Sequence, residues 1–323
     1  MRAAVIETIG EPPALADVGE PERGEGQALI EVAAAALNPI DLSIGSGTFF
    51  AGPPAVPYVP GKEGVGRVLE SDTIEVGAKV WFETPGGYGG NGALAERALA
   101  PQAQAIELPA GTDAAVAAAL GIAGQTAWMA LEWRAELAAG ETVLVLGASG
   151  AVGQVAVQAA KLLGAGRVVA AARDAEALER AHALGADATV DLGAFDGRDE
   201  LADAYREAAG GDIHVTIDPL WGEPGVAAAL AAAVGGRIVQ LGQSAGAEAS
   251  VPSSAIRGKL LSLLGYLNPL APFDARADAY RRLLEHVDAG RLEIAVETFA
   301  LDRIGAAWER QSSSPNRKLV VVP

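Results

Sequence analysis

The sequence predicts an α/β chain in which a doubly wound parallel sheet is inserted into a β-rich module. Three observations predict it. Residues 1–110 are rich in glycine, proline and short alternating segments. From Thr142 onward, apolar β-branched runs alternate with helical stretches. Two further strand-like runs, Ile294–Phe299 and Lys318–Val322, follow a long helix and can rejoin the first module.

Taken in order, Arg2–Glu7, Gln27–Ala35, Gly64–Leu69 and Val80–Glu83 read as strands, separated by turn clusters at Gly10–Pro13, Pro21–Gly26 and Gly52–Pro60. They make an all-β module, a partly open barrel. The glycine-dense stretch Pro85–Gly92 reads as a mobile loop and not as a phosphate cradle, because no helix follows it. Thr112–Ala139 is alanine-rich and helical. Strands then fall at Thr142–Leu146, Arg167–Ala171, Ala188–Asp191, Ile213–Asp218, Arg237–Leu241 and Leu260–Tyr266. Helices fall at Ala175–Leu184, Arg198–Ala209, Gly225–Ala233 and Ala271–Ala289. Alternation at that pitch means a parallel sheet.

The stretch Thr142–Gly164, TVLVLGASGAVGQVAVQAAKLLG, carries the chemistry. A buried strand runs into Gly147, Gly150 and Gly153, and helical spacing starts at Val152. Free amides and the positive end of a helix dipole attract an anion there. Glycine lets a pyrophosphate reach the backbone and lets the helix reach the sheet. The turn Gly147, Ala148, Ser149, Gly150, Ala151, Val152 and Gly153 therefore reads as a dinucleotide cradle. In the usual NAD site an Asp or Glu ends the second strand. Here that strand runs into Ala172 and Arg173, and no carboxylate appears until Asp174. A small neutral residue followed by a guanidinium suits a 2′-phosphate, so the expected cofactor is NADPH. Asp174 also reads as a helix N-cap, and both roles can hold together. Gly242, Gln243 and Ser244 follow the fifth strand at its carboxyl end, where such sheets bind ligands, and Leu220 ends the fourth strand in the same region.

Bulk properties exclude several classes. The 323 residues suggest about two domains. The net charge of −17 argues against nucleic acid or an anionic membrane as partner. There is no cysteine, and His182, His214 and His286 lack metal-ligand spacing. No signal-like or membrane-spanning run is evident, which makes a cytoplasmic protein the expectation. The expected division is residues 1–112, the first part of the β module; 113–257, the nucleotide-binding part, with its sheet running on to about 268; and 258–323, the remaining sheet edge and the return.

Further motifs stand in order along the chain: Asn38-Pro39-Ile40-Asp41, Pro60-Gly61-Lys62-Glu63-Gly64-Val65-Gly66, Gly92-Ala93-Leu94-Ala95-Glu96 and Gly124-Gln125-Thr126-Ala127-Trp128. With the Gly147–Gly153 turn, they resemble the medium-chain dehydrogenase/reductase superfamily, and within it the zinc-free quinone oxidoreductase branch. The resemblance covers nearly the whole chain. It implies a GroES-like β module, a Rossmann domain, a cleft for nicotinamide and substrate, and Thr126 near the nicotinamide. Where the zinc alcohol dehydrogenase branch carries a ligand cysteine, this chain has Asn38; where it carries a ligand histidine, this chain has Lys62. A charged lysine cannot bind zinc.

Without a metal, quinones and conjugated enones are better hydride acceptors than simple ketones, because charge spreads and a few donors suffice. Asn38 is a candidate for a contact at the nicotinamide or substrate carbonyl, or is a turn residue before Pro39. Asp41 orients neighbours or caps a helix near Leu42. Lys62 offers an ammonium to a developing enolate, or pairs with Glu63 or Asp41. Many quinone reductases that this chain resembles carry a tyrosine where Ser43 stands, so the proton donor stays open; Tyr266 either substitutes for it or packs in the core, and Ser43, Phe49 and Tyr266 are assigned to the substrate pocket. Trp81, Tyr88, Trp221 and Phe50 are further candidates for aromatic walls, or each packs in the core. The apolar run Leu260–Tyr266 would lie at a sheet edge, and the resemblance implies a homodimer through it. The leading expectation is an NADPH-dependent quinone or enone reductase; the alternatives are an enoyl-thioester reductase of the same superfamily and a non-catalytic NADPH-binding sensor.

Overall fold

Strand β1 (Arg2–Val5) begins a computed structural model that describes residues 1–323; the chain forms two compact units, Met1–Ile122 with Ile294–Pro323, and Ala123–Glu293. In the first, β1 pairs antiparallel with β2 (Ala14–Asp17). Strand β3 (Gln27–Ala36), helix α1 (Pro39–Gly45), and strands β4 (Glu63–Glu70), β5 (Lys79–Glu83), β6 (Arg97–Pro101) and β7 (Ile106–Glu107) follow, then helix α2 (Ala114–Leu120). Strand β3 is the hub. One edge pairs with β4; of the other edge, Gln27–Glu31 pairs with β6 and Ala35–Ala36 with a strand from the far end of the chain. Ile6, Ile30, Leu37, Ile44, Phe82 and Leu94 fill the core of this unit.

Thr112–Ala139 is not one helix. Helix α2 stops at Gly121 and α3 (Ile122–Met129) starts afresh, running into a wide π-type turn at Ala130–Arg134. The break falls at a glycine that residues distant in sequence require. A Cβ on Gly121 would stand 1.8 Å from Glu63 Oε2 and 2.2 Å from Trp81 Nε1, so these two groups occupy the space that a side chain would need.

The second unit continues with β8 (Thr142–Leu146), α4 (Ala151–Leu162), β9 (Arg167–Ala172), α5 (Ala175–Ala183), β10 (Ala188–Asp191), α6 (Arg198–Ala209), β11 (Ile213–Asp218), α7 (Gly222–Ala231), β12 (Ala232–Gln240), α8 (Ser253–Lys259), β13 (Ser262–Gly265) and α9 (Phe273–Asp288). Its strands are all parallel, in the order β10-β9-β8-β11-β12-β13. The order reverses direction beside β8, the switch point where such sheets bind ligands. Leu144 and Leu146 pack with Tyr205, Ala227 and Ile238 on one face. Val143 and Val145, pointing the other way along the same strand, are also fully buried. A sheet covered on both faces explains the continuous apolar run TVLVL.

The chain then returns to the first unit through β14 (Val296–Ala300), α10 (Ile304–Ser312) and β15 (Lys318–Val322), with β14 and β15 parallel and β15 antiparallel to β3. The short elements β2, β6, β7, α8 and α10 were not anticipated. The edge strand is shorter than Leu260–Tyr266, because Leu260 ends α8 in a left-handed conformation. No single helix is long and apolar enough to cross a membrane.

Candidate functional site

In the second unit, the carboxyl end of β8 turns at Gly147, whose φ of +60° suits glycine. The turn is tied by Ala148 N donating to Ala171 O at 3.0 Å and by Gly150 N donating to Gly147 O at 3.0 Å. Gly150 is the N-cap of α4. A Cβ there would meet nothing nearer than Gly147 O at 3.6 Å, so the approach to the first amides of α4 is open. Those amides, Ala151, Val152 and Gly153, have no intrahelical acceptor. At Gly153 the opposite holds: a Cβ would lie 2.3 Å from Gly147 O and 2.6 Å from the Ala148 Cα, so helix and turn are in direct backbone contact. Open amides at a helix N-terminus, with a backbone too close for side chains behind them, fit the diphosphate of a dinucleotide.

The rim is built from neighbouring strands. Strand β9 ends at buried Ala172; Arg173 is exposed and forms no ion pair. Asp174 caps α5, its carboxylate accepting from Ala177 N at 2.7 Å. Beyond β11, Pro219 Cγ and Leu220 Cδ2 come to 3.1 and 3.2 Å from where a Gly147 Cβ would be. The loop after β12 joins them. Ala245 N donates to Leu220 O at 2.8 Å, Ser244 Oγ donates to Pro219 O at 3.3 Å, and Gly242 fits only because it lacks a Cβ, which would stand 2.8 Å from Pro219 O. So Gly147, Leu220, Gly242 and Ser244 are brought together, with Gln243 exposed beside them. Thr126, half-buried on α3, shares no hydrogen bond with this group.

In the first unit the expected catalytic residues meet a buried polar network. Asn38 is 3% exposed, Glu63 0%, Asp41 2% and Lys318 3%. Asn38 Nδ2 donates to Glu63 Oε1 at 2.8 Å and to Ala36 O at 3.3 Å, and Asn38 Oδ1 accepts from Lys318 Nζ. Lys318 Nζ lies 3.5 Å from Glu63 Oε1. Glu63 Oε2 accepts from Trp81 Nε1 at 2.9 Å and from Ile122 N at 2.6 Å. Asp41 accepts from Asn38 N at 2.8 Å and from Lys62 N at 2.9 Å. Burial pushes the Asp41 carboxyl up to about 6, against the opposing pull of the Asn38 N–H and the Lys318 ammonium. Burial likewise lowers Lys318, against the carboxylates of Glu63 and Asp41.

This arrangement corrects several expectations. The Asn38 amide is engaged on both sides within the protein, where it holds Lys318 and Glu63 in place. Asp41 does cap α1 and also orients the Lys62 backbone. Lys62 pairs with neither Glu63 nor Asp41: its Nζ donates to Pro85 O at 2.7 Å, and burial lowers its pKa. Trp81 is fully buried, its indole N–H donating to Glu63. Tyr266 is buried too, its hydroxyl bonded to Asn268 Oδ1 at 2.9 Å, in keeping with a packing role in the second unit. Ser43 Oγ donates to Pro39 O at 3.2 Å. Phe49 is half-buried, with ring centroids 4.3 Å from Phe50 and 6.0 Å from Tyr88. The loop Pro85–Gly92 is held at both ends of its turn, by Lys62 on Pro85 O and by Gly87 N on Gly90 O at 2.9 Å. Sequence reasoning missed Lys318. The available signal was a charged residue opening an otherwise apolar strand, KLVVV.

A family model described as the alcohol dehydrogenase GroES-like domain matches residues 24–110, and one described as zinc-binding dehydrogenase matches residues 151–286. Quinone oxidoreductase-like protein 2 of Mus musculus is 30% identical over 269 residues, covering 82% of this chain and 74% of its own length. The chain belongs to the medium-chain dehydrogenase/reductase superfamily, in its quinone oxidoreductase-like branch. As a member of that superfamily it is an oxidoreductase, and its two units are the GroES-like and Rossmann-like parts of the fold. The quinone oxidoreductase of Thermus thermophilus, solved also as its complex with NADPH, superposes with a TM-score of 0.84 at 29% identity, over 100% of both chains. The NADPH-dependent alkenal/one oxidoreductase of Arabidopsis thaliana chloroplasts is 36% identical over 193 residues, 57% of this chain and 50% of its own. No three His, Asp or Glu side chains of this superfamily member converge in a way that would hold a metal ion.

Proposed function

We propose that the protein is an NADPH-dependent, zinc-independent reductase that passes hydride to a quinone or an α,β-unsaturated carbonyl compound. The observation that carries this reading is the donor set. The two positions that resemble zinc-ligand positions hold an amide engaged inside the protein, Asn38, and an ammonium, Lys62, and no three-ligand cluster offers an alternative. An acceptor that disperses charge over a conjugated system needs no Lewis acid, only hydrogen-bond donors. The Thermus relative's NADPH complex and the Arabidopsis relative's name favour the same cofactor and acceptor class.

When bound, the reduced nicotinamide supplies the hydride. The protein's part is to hold it and to receive the charge that develops on the acceptor. Gly147–Gly153 would take the diphosphate and Arg173 the 2′-phosphate. Lys62, its ammonium made more acidic by burial and steered by Pro85 O, is the group in the first unit suited to donate to a forming enolate oxygen. Loss of NADPH absorbance with a panel of quinones and enones, undiminished by a metal chelator and absent with saturated ketones, is the expected result. Turnover that requires added zinc overturns the proposal. A flat trace with every acceptor, despite NADPH binding, favours a sensor.

Cofactor choice is tested separately. A guanidinium–phosphate pair contributes about 1.5–3 kcal/mol. Arg173→Ala should therefore raise the Michaelis constant for NADPH roughly 10-fold or more, with that for NADH nearly unchanged. Equal responses would remove Arg173 from the cofactor site.

The assembly proposed is a homodimer. Strand β13 ends the six-stranded sheet with one edge unpaired, and Leu260 and Leu263 are 72% and 40% exposed near it. A second copy would satisfy that edge. Sedimentation or size exclusion at micromolar concentration should give twice the 32.7 kDa chain mass, and Leu263→Lys should shift it toward monomer.

A further inference from the structure

Trp221 stands in a backbone conformation that bulky residues avoid. Its φ is +57° and its ψ −154°, outside the left-handed helical well and in a region that is nearly exclusive to glycine. Leu260, the other large apolar residue at positive φ, has a ψ of 37° and lies in the ordinary left-handed well. The two turns that flank Trp221 use glycine where φ is positive, at Gly147 and at Gly222. At this position the chain carries an indole instead.

The conformation is held from both sides. Asp218, fully buried at the end of β11, accepts from Leu220 N at 2.9 Å and from Trp221 N at 2.8 Å through one oxygen. Its other oxygen has no partner and sits where a Cβ on Gly225 would come within 2.6 Å. On the far side, Gly222 lies against the next loop, with Ala245 O 3.0 Å from its Cβ position. One edge of the indole rests near Gly225, with Cε3 3.1 Å from that residue's Cβ position, and the side chain is only half-buried. Core packing would not call for this. A half-exposed ring gains little from burial, and a glycine would remove the backbone strain. Strain that surrounding contacts maintain at a ligand-binding end of a sheet marks a functional side chain.

We propose that Trp221 is a cofactor-binding residue, its indole fixed by the Asp218 turn so as to pack against an aromatic ring of the dinucleotide. The inference rests on the nucleotide-binding reading given above. The turn that carries it, Pro219–Trp221, is the same turn that packs on Gly147 of the cradle. An aromatic wall supplies ring contact without a further charge.

The test is NADPH affinity by calorimetry, beside thermal unfolding of the free protein, for wild type and for Trp221→Ala, Trp221→Gly and Trp221→Phe. Trp221→Ala should weaken NADPH roughly 10-fold, and Trp221→Phe should retain most of the affinity. Trp221→Gly, freed of the strained backbone, should melt higher than Trp221→Ala while binding as poorly. A purely structural tryptophan would change melting temperature and leave affinity alone, and that outcome overturns the proposal. Repeating the titration with adenosine 2′,5′-bisphosphate and with reduced nicotinamide mononucleotide assigns the ring: the fragment that loses affinity is the one the indole touches, and loss with neither counts against the proposal. Wild type that binds no nucleotide defeats the functional reading itself, whereas wild type that binds with all variants unaltered defeats only the role of Trp221.

Discussion

Lys318→Met should destabilise the GroES-like unit by about 3–5 kcal/mol, the cost of stranding one member of a buried ion pair. Lys318 and Glu63 are both almost wholly excluded from solvent, and the ammonium also serves Asn38 Oδ1. With the cation gone, the Glu63 carboxylate keeps its bonds from Asn38, Trp81 and Ile122, but those donors carry no charge to balance it. At roughly 2–4 °C per kcal/mol for a unit of this size, the first unfolding transition should move down by on the order of 10 °C. Adding Glu63→Gln should recover part of the loss, because the double variant no longer buries a lone charge. Calorimetry on the four proteins of this cycle decides the matter. A loss below about 1 kcal/mol for Lys318→Met would mean that the pair is solvated in solution and that Glu63 is not held as described.

The second large effect is expected at the cradle, where two glycines three residues apart should respond differently. Gly153→Ala places a methyl 2.3 Å from Gly147 O and 2.6 Å from the Ala148 Cα, both backbone atoms that a side-chain rotation cannot clear. Alanine's better helix propensity is worth up to about 1 kcal/mol, too little to offset that overlap. The turn must move off α4, so both melting temperature and NADPH affinity should fall, affinity by roughly 100-fold if two charge-assisted amide contacts are lost. Gly150→Ala is the contrast. Its φ of −76° and ψ of 167° suit any residue and its nearest neighbour is 3.6 Å away, so the protein alone should tolerate the methyl. The methyl would nonetheless stand over the amides proposed to receive the diphosphate. Affinity should drop with little change in melting temperature. Calorimetric titration and thermal unfolding of the two variants check this, and equal binding by Gly150→Ala and wild type would place the anion elsewhere.

What could be read in advance was set by sequence distance. The Thr142–Gly164 stretch was legible because strand, turn and helix are consecutive and each glycine answers to a neighbour only a few residues away. Asp174 was legible as a cap for the same reason. The break at Gly121 was not, because its cause is the pair of side chains Glu63 and Trp81, far upstream. The fate of Asn38 was likewise hidden, since its partners are Glu63 and Lys318, 25 and 280 residues away. Lys62 carried an ambiguous signal. Two carboxylates lay near it in sequence, yet a backbone carbonyl in the Pro85 loop claimed the ammonium. Nothing in the order of residues at Asp218-Pro219-Leu220-Trp221 announces a strained backbone; that follows from one carboxylate oxygen gripping two successive amides.

The pairing of β15 with β3 has a consequence for synthesis. The Rossmann-like unit is one uninterrupted segment, Ala123–Glu293, and can complete its core while translation continues. The GroES-like unit cannot, although its first segment is made before the Rossmann-like unit. Its sheet lacks two strands, and Glu63 lacks its counter-charge, until residues 296–322 have been made. A nascent chain arrested before that point would hold a finished nucleotide fold joined to an open sheet edge with an unpaired acid in its interior, the kind of surface that chaperones bind.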